Sequence, residues 1–362
     1  MFNSKIKRIL ITGGGGFIGG EVIRLLLKES NLQIFNLDKI GYASDFTGIN
    51  NQIANLGKQY ENRHKIIHAD LTNYEQTEDA ILKSDPDLIL HLAAESHVDR
   101  SIDNPRIFIN NNIIGTYNLL EASLKFYLNL SDERKSYFKF HHISTDEVFG
   151  ALGFEGKFSE TTRYDPRSPY SASKASSDHL VSSWYHTYGL PTVITNCSNN
   201  YGPWQFPEKL IPNVILKSFY NQKIPLYGDG KNVRDWLFVE DHAEAILLIA
   251  SKGRIGESYC IGGDSEKNNK EVVLAICEVM DQIKPNNKPH ESLINYVQDR
   301  PGHDFRYAID FNKIYREFGW RPKFSFSESL ERTVKWYLEN LDWCEKIKNK
   351  ANYDGSRIGL KK

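Results

Sequence analysis

The sequence predicts an α/β fold: a doubly wound parallel sheet of the Rossmann kind with a smaller, interleaved C-terminal lobe. Three observations carry that expectation. Short apolar runs alternate with helical periods through the first 200 residues, a pattern that builds a parallel sheet with right-handed crossovers. A glycine-rich turn follows the first run and opens a helix. An acidic residue closes the second run, roughly 20 residues beyond those glycines, where such sheets hold a dinucleotide's ribose.

Residues 7–12 form the first strand, and Gly13-Gly14-Gly15-Gly16-Phe17-Ile18-Gly19 turns it into a helix carrying apolar Val22, Ile23, Leu25, Leu26 and Leu27. Gly13, Gly16 and Gly19 let backbone approach a pyrophosphate placed at the positive end of that helix. The second strand, 32–37, ends at Asp38, whose carboxylate would accept from ribose hydroxyls and repel a 2′-phosphate, which favours NAD over NADP. A third strand over 66–71 sets Asp70 and Leu71 at the adenine edge. The fourth, 87–92, opens into Ala93-Ala94-Glu95-Ser96-His97, whose small residues leave room for a ligand. His97 has no second ligand at a metal spacing, so no metal site is expected.

A long helix is predicted over 110–130 and a fifth strand over 139–144, with His141 and His142 as structural residues inside it. A loop over 154–169, a helix from 174 to about 189 and a sixth strand over 192–195 follow. Past Tyr201, Pro203, Pro207, Pro212, Pro225 and Gly228 break the chain repeatedly. The division is therefore an NAD-binding lobe over 1–200, with 236–262 returning to it, and a second lobe over the rest of 201–362. There Lys209, Arg234, Asn269, Arg300, His303 and Arg306 lie among aromatics, a mixture suited to a sugar, a base and phosphates.

The chemistry concentrates at Ser144-Thr145-Asp146-Glu147 and at Tyr170 and Lys174. Tyrosine titrates near pH 10, so a tyrosine base at neutral pH needs positive charge beside it, and Lys174, one helical turn on, can supply it. Two adjacent carboxyls push their pKa values apart, as an acid and a base working at one pH require. Consecutive strand residues point to opposite faces, so Asp146 and Glu147 share one substrate only if the strand ends near Thr145 and the chain turns.

Composition excludes other classes. The 362 residues are 40% hydrophobic and 25% charged with net charge −1, which offers nothing to nucleic acid or a membrane surface. Cys197, Cys260, Cys277 and Cys344 lie too far apart for zinc or redox motifs and read as buried, reduced thiols. The apolar run before the glycines is too short for a signal peptide, and a cytoplasmic protein is expected. The lysines through Lys361-Lys362 read as a solvated tail.

The chain resembles the extended short-chain dehydrogenase/reductases. The likeness rests on residues 12–19, His91-Leu92-Ala93-Ala94-Glu95-Ser96-His97-Val98-Asp99-Arg100-Ser101, residues 144–150, 168–178 and 196–212, Arg234-Asp235-Trp236, and Asp299-Arg300-Pro301-Gly302-His303-Asp304. The adjacent Asp146 and Glu147 after Thr145 make it similar to the branch of that family that dehydrates dTDP-glucose, a group of hydro-lyases. The resemblance implies oxidation at C4 of the sugar, loss of water across C5–C6 and return of hydride to C6, with Thr145, Asp146, Glu147, Tyr170 and Lys174 catalytic. It implies NAD contacts at Gly13, Gly16, Phe17, Ile18, Gly19, Asp38, Lys39, Asp70, Leu71, Leu92, Ala93, Ala94, Ser96, Asn111, Tyr170, Lys174 and Asn200. Substrate contacts would come from Ser96, Thr145, Asn199, Lys209, Leu210, Pro225, Tyr227, Arg234, Asn269, Arg300 and His303. Relatives often carry Thr where this chain has Asn111, and some have a longer loop over 151–161. The resemblance also suggests a homodimer through helices of the first lobe. The competing readings are a dehydratase or epimerase of UDP, GDP or CDP sugars and a non-catalytic NAD-sensing scaffold.

Overall fold

The computed structural model describes residues 2–299 and 301–353. The strands are β1 (Arg8–Thr12), β2 (Gln33–Asp38), β3 (His64–His68), β4 (Leu88–His91), β5 (Lys139–Thr145), β6 (Thr192–Cys197), β7 (Asn199–Tyr201), β8 (Ile224–Tyr227), β9 (Val233–Phe238), β10 (Ser258–Ile261), β11 (Glu266–Asn268) and β12 (Ile294–Val297). Seven of them form one parallel sheet in the order β10-β6-β5-β4-β1-β2-β3. Its inner strands are buried on both faces, which is why β1 and β4 read as apolar runs, while β6 buries its Thr192, Thr195 and Asn196 as well. β3 is an edge strand, and the lysine and histidines on it keep that edge wet.

Helices cover both faces. On one, Phe17–Glu29 packs with Val239–Lys252 through Val22, Ile23, Leu26, Ala243 and Ile246. On the other, Ile81, Leu119, Leu120, Val181 and Trp184 close against Leu10, Ile89 and Phe140. β9 pairs with β7 and β11 in a separate three-stranded sheet, whereas the helix after it packs on the first lobe and β10 completes the large sheet. β8 and β12 form a two-stranded sheet, over a core that includes Ile215, Trp236, Val272, Met280 and Val334.

Two helices start earlier than the sequence predicts. The one expected from 110 runs helically from Pro105, with a π-helical stretch at Ile109–Ile114 before Gly115–Leu128. Pro105 occupies the first helical position, where its missing N–H costs nothing. The other is Pro169–Tyr188, set by a capping box in which Ser168 and Ser171 satisfy each other's backbone N–H. Such caps contribute about 0.5–2 kcal/mol. Here the cap also puts Tyr170 and Lys174 in the first two turns.

The last described helix, Leu341–Lys350, doubles back over the first lobe. Trp343 Nε1 donates to Asp45 Oδ2 (3.0 Å), and Lys350 Nζ donates to Ser44 O (2.5 Å). Trp204, held at φ +70°, sits against Trp336 and Trp343 with ring centroids 4.6 and 5.2 Å away. Among the described residues no helix is long and apolar enough to cross a membrane, and all four cysteines are buried and unpaired.

Candidate active site

A cavity of about 550 Å³ runs along the carboxyl ends of β1, β2, β4 and β5 and under the second lobe. At one end lies the glycine turn. Gly13 has φ +73°, and a Cβ there would come within 2.7 Å of Ala93 Cα; one at Gly19 would come within 2.4 Å of Gly13 O. Those two glycines are required by the chain's own packing. Gly16 differs, since a Cβ there would meet only Gly13 O at 3.2 Å. It caps the helix Phe17–Glu29 with no side-chain acceptor, and the first turn holds no acid. A helix end left positive and lined by bare backbone fits a pyrophosphate.

Asp38 closes β2 beside that turn. Its Oδ2 accepts from Gly15 N (2.9 Å) and its Oδ1 from Ile40 N and the Ser44 hydroxyl, both at 2.7 Å. The carboxylate therefore organises the loop as well as facing the cavity. Lys39 Nζ reaches Glu95 Oε1 (2.5 Å) and Asn111 Oδ1 (2.9 Å) at the cavity edge. Asp70, Leu71, Leu92, Ala93, Ala94 and Ser96 continue the wall. The neighbour Asn112 exchanges hydrogen bonds with Glu95 N and O and donates to Ser173 Oγ (2.8 Å), which fastens the loop after β4 to the Tyr170 helix. It lies in the π-helical stretch, a local deformation no sequence period reveals.

β5 ends at Thr145, and Asp146–Phe149 is a single 3₁₀ turn whose N-cap, Thr145, accepts from Glu147 N (3.3 Å). The turn that an adjacent acid pair requires is present. Glu147, Thr145 and Tyr170 line the cavity. Asp146 does not: it is buried one layer behind, with Thr145 Oγ1 at 3.3 Å from its Oδ1 and no hydrogen-bond partner for Oδ2. Burial first, then the charges of Glu147 and Asp235, push the Asp146 carboxyl well above the usual range, so it holds its proton. Burial and the Glu147 charge likewise drive the Tyr170 phenol up.

Lys174 lines the same cavity as Tyr170, with its Nζ turned to Ile143 O (2.9 Å) and His142 Nε2 (3.3 Å). Burial pushes the lysine itself downward. Helical spacing placed the two side chains on one face but could not say where a long ammonium arm would end.

The second lobe supplies the remaining wall. Asn199, Asn200, Lys209, Leu210, Pro225, Tyr227, Arg234, Asn269 and His303 all line the cavity. Lys209 Nζ donates to Ser96 O (3.1 Å), and Asn200 Oδ1 lies 2.8 Å from His242 Nδ1. The Arg234 guanidinium lies 4.2 Å over the Tyr307 ring and donates to Val233 O and Asp304 O. His303 Nδ1 sits 2.6 Å from Asp299 Oδ1. His97 begins a short helix, its ring 3.9 Å from Glu208. Arg300 and the terminal lysines lie outside the described residues. Arg306 faces Glu266 and the loop over 153–156 instead of the cavity. Sequence reasoning passed over Cys197, Tyr307 and Tyr42, which also line it; each looked like an ordinary apolar position in its segment.

Fold and site together define a Rossmann-type dehydrogenase scaffold to which an acid pair has been added beside the tyrosine and lysine. The family model described as GDP-mannose 4,6 dehydratase matches residues 10–333. The chain is 50% identical over 352 residues to a dTDP-glucose 4,6-dehydratase of Xanthomonas campestris, covering 97% of this chain and 98% of that one. It is 48% identical over 364 residues to one of Shigella flexneri, covering 96% and 99%. Among solved structures it superposes on DesIV, a dTDP-glucose 4,6-dehydratase of Streptomyces venezuelae with NAD and TYD bound, with TM-score 0.85 and 38% identity over 94% of this chain and all of that one. The chain belongs to the family of dTDP-glucose 4,6-dehydratases.

Proposed function

We propose that this chain uses NAD to convert dTDP-glucose into its 4-keto-6-deoxy product. The observation that carries the reading is geometric: Asp146, buried with Oδ1 3.3 Å from the Thr145 hydroxyl, stands next to Glu147, a carboxyl that faces the cavity with Tyr170, both within one turn of Thr145. Burial holds the Asp146 carboxyl well above the usual range. Residues 1–200, with 236–262 returning to them, would hold the cofactor, and the rest of 201–362 mainly the nucleotide sugar. NAD bound along the glycine turn, Asp38 and Lys39 would supply a hydride acceptor that later gives the hydride back.

Tyr170, ionised with the Lys174 ammonium behind it, takes the proton of the sugar's 4-hydroxyl while Thr145 Oγ1 holds that oxygen. A ketone at C4 acidifies the proton on C5, and Glu147 removes it. Asp146 sends its proton past the Thr145 hydroxyl it touches to the departing 6-hydroxyl, which leaves as water. Reprotonation at C5 returns Glu147 to its starting state, and the proton Tyr170 took from the 4-hydroxyl makes good, by exchange with water, the one Asp146 gave up. Each such proton transfer is worth on the order of 10²–10⁴ in rate. Lys209, Arg234, Asn269 and His303 orient the base and phosphates.

A homodimer is supported by the apolar face left open at Ile107, Ile109, Ile114 and Tyr117 on the first lobe's helices. Four unpaired thiols accord with action in the reducing cytoplasm. The test is product analysis by mass and NMR after incubation with dTDP-, UDP-, GDP- and CDP-glucose. The expected result is a 4-keto-6-deoxy product from dTDP-glucose above all; a clear preference for another base, or a C4 epimer as product, would overturn the assignment.

A further inference from the structure

Behind the cavity lies a polar cluster of which the proposed mechanism uses only Lys174. Lys174, His142 and Asp178 are buried, at 4%, 0% and 1% exposure. Lys174 Nζ lies 3.3 Å from His142 Nε2, and the same ring nitrogen lies 3.2 Å from Asp178 Oδ1. The other carboxylate oxygen, Oδ2, accepts from Ser144 Oγ (2.8 Å), Tyr164 Oη (2.9 Å) and Asn196 Nδ2 (3.2 Å). Three donors on one oxygen are an arrangement for an ionised carboxylate. His142 is neutral, since burial and the adjacent ammonium drive it far down, and His91, with its ring 5.0 Å away, is driven down as well. Both charges approach the same nitrogen of a neutral imidazole, which accepts from the ammonium and so leaves Asp178 Oδ1 without a hydrogen-bond donor, facing the ammonium by charge alone.

The geometry points to Asp178 as a positioning residue whose carboxylate, lying beside the His142 nitrogen that Lys174 also meets, keeps Lys174 charged behind Tyr170. Burial alone would strip Lys174 of its proton, and among the groups around it Asp178 is the main one restoring the charge. The remaining groups facing the ammonium, from β5, β4 and β6, are the Ile143 carbonyl, neutral His91 and the Cys197 thiol, which burial keeps protonated. Among the described residues in that layer, Asp178 alone offers a carboxylate, pushed up by burial and held back by Lys174 and its three donors. Lys174 is therefore the end of a dry network whose other end, the Tyr164 phenol, lies near the surface against the His179 ring (4.9 Å).

The inference rests on the proposed role of Tyr170 only for its consequence, not for its test. Lysine side chains labelled with ¹³C at Cε are titrated by NMR in the full chain, without substrate, between about pH 6 and about pH 9, with Lys174→Arg identifying the resonance. In the parent chain the Lys174 signal is expected to stay in the charged position throughout. In Asp178→Asn it should titrate with a midpoint at least about one unit lower, and Asp178→Glu should restore the parent behaviour. Tyr164→Phe, a milder change at the rim, should shift the midpoint the same way by less. An unmoved Lys174 resonance in Asp178→Asn, or, should that variant not fold, in Tyr164→Phe, would overturn the inference, as would failure of Asp178→Glu to restore it. In turnover, the alkaline shift of the pH profile for the oxidation step should match the drop in the Lys174 midpoint. Product analysis can fail while this titration succeeds, so the two proposals are separable.

Discussion

The two walls of the cavity treat polar groups in opposite ways. Around the end of β5, Asp146, His142, Lys174 and Asp178 are closed off from water, and Asp146 Oδ2, His142 Nδ1 and Asp178 Oδ1 have no hydrogen-bond partner. Across the cavity, Lys209, Tyr227 and Asn269 are half-buried and stand where solvent reaches. Desolvation multiplies the effect of a charge in the first wall and leaves it modest in the second. Proton positions are therefore fixed on the sheet side, and recognition of a dissociating anion is left to the wetter side, where binding must also be reversible.

The largest expected effect that sharpens this contrast comes from Asp146→Asn. It should lower turnover by roughly 10²–10⁴ while reduced nicotinamide still accumulates after substrate is added. The same variant should gain stability at neutral pH. A carboxyl whose folded pKa is raised binds its proton more tightly in the native state, so it costs stability as pH rises above the unfolded value, near 4, and the asparagine escapes that cost. Chemical denaturation at pH 5 and pH 8 checks it: the difference between variant and parent should grow toward pH 8, and an Asp146→Asn chain less stable than the parent at both would break the comparison.

A smaller effect is expected on the wet wall. Lys209→Met should raise KM for the nucleotide sugar by about tenfold, the loss of one charge-assisted hydrogen bond, with kcat little changed. Steady-state kinetics separates the two; a fall in kcat alone would place Lys209 with the proton-moving groups. The smallest comes from Trp343→Phe, which removes the indole bond to Asp45 and part of the ring contact with Trp204 and Trp336. It should lower the thermal midpoint by a few degrees, for a loss of about 1 kcal/mol.

Much of the sheet was legible because buried parallel strands announce themselves as apolar runs and because the glycine turn and Asp38 have fixed offsets. The segments around Thr145 and Tyr170 were legible for a related reason: short local geometry, a strand end and a capped helix, places those side chains. What escaped was set by tertiary contact. Pro105 and Ser168 begin helices earlier than periodicity suggests, and the π-helical turn at Asn112 is fastened to Glu95 and Ser173 by contacts distant in sequence. That Asp146 falls one layer behind Glu147, and that Lys174 turns toward His142, depends on side-chain torsions no spacing encodes. In the second lobe, sheets of two and three strands contribute too few residues each for a period to emerge.

The last described helix has one more consequence, for how the protein is made. Its Lys350 and Trp343 clasp Ser44 and Asp45, and Ser44 in turn braces Asp38. A ribosome delivers those partners about 300 residues apart, a gap of tens of seconds at roughly 5–20 residues per second. The loop around Asp38 thus emerges long before the helix that fastens it, and in between it stands open to whatever ligand or chaperone arrives first.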